Sequence, residues 1–345
     1  MLDLSLNLNL DGAAKAKPDS PAPARTEPRA DTLYDILVLG GGPAGLNAAL
    51  YASRKGLKVA VFGERIGGLL LDTSSVDNYI GGGDTSGYDL AMNFERDVRA
   101  LGVPILEGYR IEGWHREGEN LILEATNGEH YHGRTVILAT GSMPRHLGVP
   151  GEDELSGRGV SYCAICDGPL YRGKRVVISG GGNSAVQAAI DLSRLVSEVT
   201  VVQRSVFRAD QVLMDEVSKL ANVTLFTQTD ILRIRGEQKV EGVDVRDKAT
   251  GEERFISADG VFIEIGHIPQ LGPFVGALAV NDSNEVIVDA HNHTSEPGVF
   301  AAGDVTPTEY KQIVIAAAEG AKAALSVNNY LTTKPAAIPA TPVSI

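Results

Sequence analysis

From Tyr34 onward the chain alternates short, nearly unbroken apolar runs with stretches of small residues at helical spacing, the pattern of buried strands and their connecting helices. The first run, Tyr34–Leu39, leads straight into Gly40-Gly41-Gly42-Pro43-Ala44-Gly45. A helix is expected through Leu46–Tyr51, and a second strand, Lys58–Phe62, ends near Glu64. Strand, glycine turn, helix and strand in that order form a βαβ unit with the glycine spacing of a dinucleotide cradle. The order then repeats: a strand at Lys174–Ser179, a turn at Gly180–Ala185, a helix at Val186–Leu195 and a strand at Val199–Gln203. Two such units imply two nucleotide sites, or one site and a vestige of another. Later apolar runs at Thr135–Ala139, Gly260–Ile265 and Gly298–Ala302 each end in a glycine-containing turn.

Each turn has a physical logic. Gly40 permits the tight turn, Gly42 admits a pyrophosphate to the backbone, and Gly45 lets helix and strand pack closely. Glu64, at the end of the second strand, is placed to accept ribose hydroxyls, which suits FAD; as a bare strand end it would simply be solvated. The second turn offers Gly180, Gly182, Asn183, Ser184 and Ala185 to a nicotinamide dinucleotide. Its second strand ends in Gln203-Arg204-Ser205 with Arg208 close behind, where NAD would ask for a carboxylate. The guanidinium groups favour a 2′-phosphate, hence NADPH, unless they only solvate the strand end.

Composition narrows the class. The 345 residues are 43% hydrophobic and 22% charged, enough apolar material for two cores. A formal charge of −13 argues against nucleic acid, and no stretch approaches the roughly 18 consecutive apolar residues of a membrane span. The chain has 2 cysteines, Cys163 and Cys166, too few for a disulfide framework or a four-ligand metal site, and no metal centre is expected. A lone Cys-Ala-Ile-Cys pair reads as redox chemistry in a reducing compartment, so a cytoplasmic location is expected. At a helix start the two sulfurs share one face, the dipole favours thiolate, and Asp167 directly after them is placed to move protons. The histidine pairs His130/His132 and His291/His293 read as ordinary surface residues. Residues 1–32 read as a flexible tail, with an edge strand over 2–10 as the alternative; residues 332–345 read as a second tail.

Taken together these motifs resemble the low-molecular-weight thioredoxin reductases and, more closely, the flavoprotein subunit of alkyl hydroperoxide reductase. They are GGGPAG (40–45), GERIGG (63–68), DNYIG (77–81), ATG (139–141), VPGE (149–152), YCAICDGPLYRGKRV (162–176), GGGNSA (180–185), FRADQVL (207–213), GHIP (266–269), GVFAAGD (298–304) and YKQI (310–313). The resemblance implies an α/β fold of two Rossmann-like, three-layer dinucleotide-binding domains, the second inserted in the first. A FAD-binding domain would span 33–145 and 271–331, and a pyridine-nucleotide domain carrying the cysteines 146–270. It further implies that Cys166 faces the flavin, Cys163 exchanges with substrate, and Asp167 is the acid/base. Asp304 would hold the ribityl chain, Gln312 would give the isoalloxazine a backbone contact, and Asn78 would lie beside it. Ala44, Arg65, Gly68, Leu69, Ala139, Thr140, Gly141, Gly303, Lys311 and Ile313 complete the implied flavin cradle.

The chain departs from the family at Leu69, where glutamine is usual, at Gln203-Arg204-Ser205, where a His-Arg-Arg cluster is usual, and at Gln270, where asparagine is usual. All three touch flavin or nucleotide handling. The hydroperoxide-reductase flavoprotein carries a further N-terminal module with its own CxxC, whereas a short tail precedes the body here, which calls for a separate dithiol acceptor. The expected activity is transfer of electrons from NADPH through FAD to the Cys163–Cys166 pair and on to a thioredoxin-like disulfide, by a homodimer. Two alternatives are a member of the family reduced by ferredoxin or another donor, and a non-catalytic redox sensor signalling through its tails.

Overall fold

The computed structural model describes residues 25–73 and 75–333. Of the two expected tails, residues 1–24 and 334–345 lie outside the described residues. Residues 25–32 run along the body: the Thr26 carbonyl accepts from the Ile105 N–H at 3.0 Å, and the Arg29 N–H donates to the Tyr34 hydroxyl at 2.9 Å.

The chain opens with β1 (Leu33–Leu39), α1 (Pro43–Arg54), β2 (Val59–Gly63), α2 (Gly87–Arg99) and β3 (Ile105–Glu107). It continues through β4 (Ile111–Glu117), β5 (Asn120–Ala125), β6 (His130–Leu138) and β7 (Ser142–Pro144). Next come β8 (Val160–Ser161), α3 (Ala164–Asp167), β9 (Arg175–Ser179), α4 (Asn183–Ser193), β10 (Glu198–Val202), α5 (Gln211–Val217) and β11 (Val223–Phe226). The antiparallel strands β12 (Thr229–Arg235), β13 (Gly242–Asp247) and β14 (Glu253–Ser257) follow, then β15 (Gly260–Ile263) and β16 (His267–Pro269). The last described elements are β17 (Val299–Ala301) and α6 (Ile313–Thr333).

The first sheet runs β3-β2-β1-β6-β5-β4, and β17 returns from late in the chain to pair with β6. The second runs β11-β10-β9-β15-β8, every pairing parallel. The fold is therefore two Rossmann-like units, the second lying within the sequence of the first.

Central strands are buried on both faces, and side-chain alternation sends each half to a different layer. Ile36 and Val38 of β1 join a core with α1, α2 and α6, while Leu37 and Leu39 join one with Tyr131, Phe274 and Val286. In the second unit Val176 and Ile178 face α4, and Val177 faces the β12–β14 meander through Val243 and Val245. Each unit thus has three layers, and the layer opposite the helices is largely strand and loop. Small residues bring α1 and α6 together: a Cβ at Gly320 would collide with the Ala44 carbonyl.

Two short strands join the units. β7 pairs antiparallel with β16, matching Met143 with Ile268. The ribbon is extended by Arg145 N–H to the Gly266 carbonyl at 2.9 Å and Gln270 N–H to the Gly141 carbonyl at 2.9 Å. The Thr140 hydroxyl donates to the Gln270 carbonyl. Both passages of chain between the sheets are therefore hydrogen-bonded to each other.

Candidate active site

At the first glycine turn the three roles are sterically distinct. Gly40 has φ +111°, and a Cβ there would strike the Ala139 backbone; a Cβ on Gly45 would strike the Gly40 carbonyl. At Gly42 a Cβ would meet nothing within 4 Å, so the backbone at the N-terminus of α1 faces open space. Gly42 is also the N-cap and offers no side chain, while Pro43 sits at N1, so the helix-end N–H groups are left for an anion. Gly68 packs beside Gly42, and Gly303 beside Ala44 and Ala316. The turn, Ala139, Gly68 and Gly303 therefore gather around one crevice at the carboxyl ends of β1 and β6, where open α/β sheets bind ligands.

Asp304 directly follows Gly303 at this place. Its Oδ1 is buried without a hydrogen-bond partner among the described residues. Burial pushes its carboxyl up to about 6, with Lys311 drawing it down and Glu319 adding to the rise. The Glu319 carboxylate accepts from the Gly303 N–H at 2.9 Å and from the Thr306 hydroxyl at 3.2 Å, fixing the loop that presents Asp304. An unpaired buried acceptor calls for a donor, and open space over a helix N-terminus suits a pyrophosphate. The residues fit a flavin dinucleotide.

Other expected cradle residues have partners within the chain. Glu64 forms an exposed pair with Arg110 at 3.0 Å, and Arg65 one with Asp72 at 2.8 Å. Lys311 Nζ donates to Glu285 at 2.8 Å and to the Asp304 and Thr306 carbonyls. Leu69 is solvent-exposed in a short 3-10 turn beside them. Ile313 is the first residue of α6, and Gly141 follows Thr140 into the linking ribbon.

Cys163 and Cys166 are joined in a disulfide with Cα atoms 5.3 Å apart. Cys163 is the N-cap of α3, and its Sγ accepts from the Cys166 N–H at 3.2 Å. The Ser161 hydroxyl accepts from the Cys163 N–H at 3.1 Å. Asp167 ends α3, and its carboxylate makes no hydrogen bond among the described residues. The pair belongs to the second unit but lies against the first: Gln312 Nε2, just before α6, is 4.0 Å from Cys163 Sγ. Asn78 Nδ2 in turn donates to Gln312 Oε1 at 3.5 Å. On the linking ribbon, burial holds the His267 imidazole below its ordinary range, and Lys311 nearby acts in the same direction.

The second glycine turn repeats the first. A Cβ on Gly180 would strike the Glu264 backbone, as one on Gly40 would strike Ala139, and Gly182 again faces open space. Ala185 is buried behind the turn. Asn183 is tied to Asp210 by a reciprocal pair of bonds, 2.9 Å and 2.8 Å, and Ser184 is exposed beside it. Gln203 is buried, folded over Gly181 with its Nε2 on the Val206 carbonyl at 3.1 Å. Arg204 and Arg208, at the same strand end, are both exposed. With Gly182 open, these residues fit a nicotinamide dinucleotide.

Two carboxylates, Glu264 and Glu319, escaped the motif reading, and a third, Glu152, ends the VPGE motif without having been given a role. Glu264 accepts from the Ala164 N–H at 3.1 Å, directly under the disulfide. Its signal is a lone acid in the apolar run 260–265. Glu319 stands out in the same way within the alanine-rich α6. Glu152 accepts from the Leu147 and Gly148 N–H groups and the Tyr162 hydroxyl, bracing the chain where it leaves the linking ribbon. Among the described residues no cluster of His, Cys, Asp or Glu is placed to hold a metal ion, and no helix is long and apolar enough to cross a membrane.

A redox disulfide on one dinucleotide-binding unit, seated against a second, defines a disulfide oxidoreductase. Over residues 34–320 the chain matches the pyridine nucleotide-disulphide oxidoreductase family, and it belongs to that family. As a member of that family it is a FAD-dependent disulfide oxidoreductase. It is 44% identical over 329 residues to the F subunit of alkyl hydroperoxide reductase from Xanthomonas campestris pv. phaseoli, covering 93% of this chain and 62% of the relative. It is 42% identical over 299 residues to an NADH dehydrogenase of Bacillus subtilis, covering 86% and 58%. The chain thus spans about six-tenths of the length of these curated relatives. Among solved structures it is similar to thioredoxin reductase from Streptococcus pyogenes, with TM-score 0.80 and 36% identity over 87% of this chain and 98% of that one.

Proposed function

We propose that the chain is a thioredoxin reductase-type enzyme that passes electrons from NADPH through FAD to Cys163–Cys166 and on to a thioredoxin-like disulfide. The observation that carries this reading is the seating of the disulfide against Gln312, on the side of the molecule where Asp304 and the first glycine turn converge. The bound flavin supplies two-electron transfer between nicotinamide and disulfide. Cys166 is assigned the flavin-facing sulfur and Cys163 the exchanging one. Reduction breaks the Sγ–Sγ bond and takes up two electrons and two protons, and Asp167 is the group assigned to relay the protons. The Cys163 thiolate then attacks the acceptor disulfide, Cys166 resolves the mixed disulfide, and the acceptor leaves as a dithiol. Arg204 and Arg208 are assigned the 2′-phosphate. The protein is expected to act as a homodimer in the cytoplasm.

Anaerobic stopped-flow mixing tests the order of events. NADPH should bleach the flavin band of both wild type and Cys166→Ser, while the wild type alone reduces a thioredoxin-like protein. Turnover retained by Cys166→Ser would sink the assignment. The burial of Gln203, which removes one nucleotide contact, favours a second reading in which a ferredoxin-type carrier is the donor. Bleaching by reduced ferredoxin but not by NADPH or NADH selects it.

A further inference from the structure

We propose that Glu264 is a positioning residue for the redox pair: its carboxylate holds the first N–H of the cysteine-bearing turn and, when ionised, opposes thiolate formation on the reduced cysteines. The inference rests on the reading that Cys163–Cys166 cycles between disulfide and dithiol.

The internal repeat of the fold exposes the residue. In the first unit the strand beside the glycine turn, β6, is followed directly by Ala139, whose backbone packs on Gly40. In the second unit the equivalent strand is β15, and the residue packing on Gly180 is Glu264. A carboxylate therefore replaces a methyl group at the strand end that borders both the nucleotide turn and the cysteine turn. The preceding residues of β15, Val261, Phe262 and Ile263, are all buried in apolar surroundings. An acid in that setting is costly unless it is hydrogen-bonded. Its bond is to Ala164 N, the peptide directly after Cys163.

That N–H is one of the few donors of a four-residue helix, and the partial positive charge of such donors is what lowers a neighbouring thiol's pKa. A carboxylate bound to it offsets this charge and adds a negative one beside the sulfurs. Burial pushes the Glu264 carboxyl up to about 7, with the Ala164 N–H drawing it down. The titratable groups of the surrounding elements are Cys163, Cys166 and Asp167 around α3 and His267 beyond β15. Arg175 and Asp259 pair at the far end of β9 and β15. Reducing the disulfide to two thiols breaks the Sγ–Sγ bond and takes up two electrons, supplied by the enzyme's own donor chain, and two protons. Ionised Glu264 keeps those protons on sulfur to higher pH, so that the pair holds a dithiol until an acceptor engages Cys163.

The test uses the flavin-loaded enzyme, reduced with dithiothreitol, desalted anaerobically and alkylated with iodoacetamide between pH 5.5 and 10, each cysteine being followed by peptide mass spectrometry. Glu264→Gln keeps an acceptor for the Ala164 N–H and removes the charge. Its alkylation profile should move to lower pH, with at least about threefold faster labelling at pH 8. Glu264→Asp should restore most of the wild-type profile. Native flavin absorption and melting of the glutamine variant establish that it is folded. Superposable profiles for wild type and Glu264→Gln overturn the proposal. Because the profile needs neither donor nor acceptor, a failure to reduce a thioredoxin-like protein leaves it standing and tells only against the assigned acceptor.

Discussion

Asp304 combines two properties that rarely persist together in a folded chain: its carboxyl is buried, and one oxygen has no partner among the described residues. Its folded pKa, about 6, lies above the ordinary 3.8, so the folded state binds the extra proton. The resulting stability is fully present below about pH 4 and is lost as pH rises through about 6. In flavin-free protein, Asp304→Asn should therefore gain on the wild type between pH 4 and pH 7, by about 2–3 kcal/mol in urea unfolding. A gap independent of pH would show that Asp304 is solvated. The sequence marked Asp304 as the end of GVFAAGD; what it could not carry was Glu319, fifteen residues on, bonding back to Gly303 and Thr306 to aim the loop.

The two glycine turns show how an element's purpose separates from its residue type. Gly42 and Gly45 look alike in sequence, yet a Cβ meets open space at one and the Gly40 carbonyl at the other. Gly42→Ala should thus fold with its flavin-free melting nearly unchanged while FAD affinity falls at least about tenfold, as the methyl enters the pyrophosphate space. Gly45→Ala should cost about 2–3 kcal/mol of stability, because α1 must move off β1. Equal loss of flavin affinity with equal destabilisation in both variants would refute the division. The second turn was legible to the same degree as a cradle, but not in its details. Asn183 is tied to Asp210, 27 positions away, which only folding brings close, and Gln203 turns back onto the Val206 carbonyl.

On the proposed route, electrons enter at the second unit, cross to the first and return to the cysteines, so the nucleotide preference reports on the second unit alone. Arg204→Ala combined with Arg208→Ala should raise KM for NADPH at least about tenfold and leave KM for NADH within about twofold. Equal effects on both nucleotides would remove the arginines from 2′-phosphate recognition. The doubled glycine grammar, the apolar strand runs and the isolated cysteine pair determined by themselves the class of fold, the two glycine turns and the disulfide-oxidoreductase class. Those features are local: a turn, a strand and a two-residue spacing are each complete within a few positions. The tertiary structure alone decided that β7 and β16 run side by side, that Gln312 meets Cys163 across 149 positions, and that Glu264 lies beneath the pair from 100 positions away. These contacts depend on where two separately built sheets come to rest, and no periodicity along the chain records it.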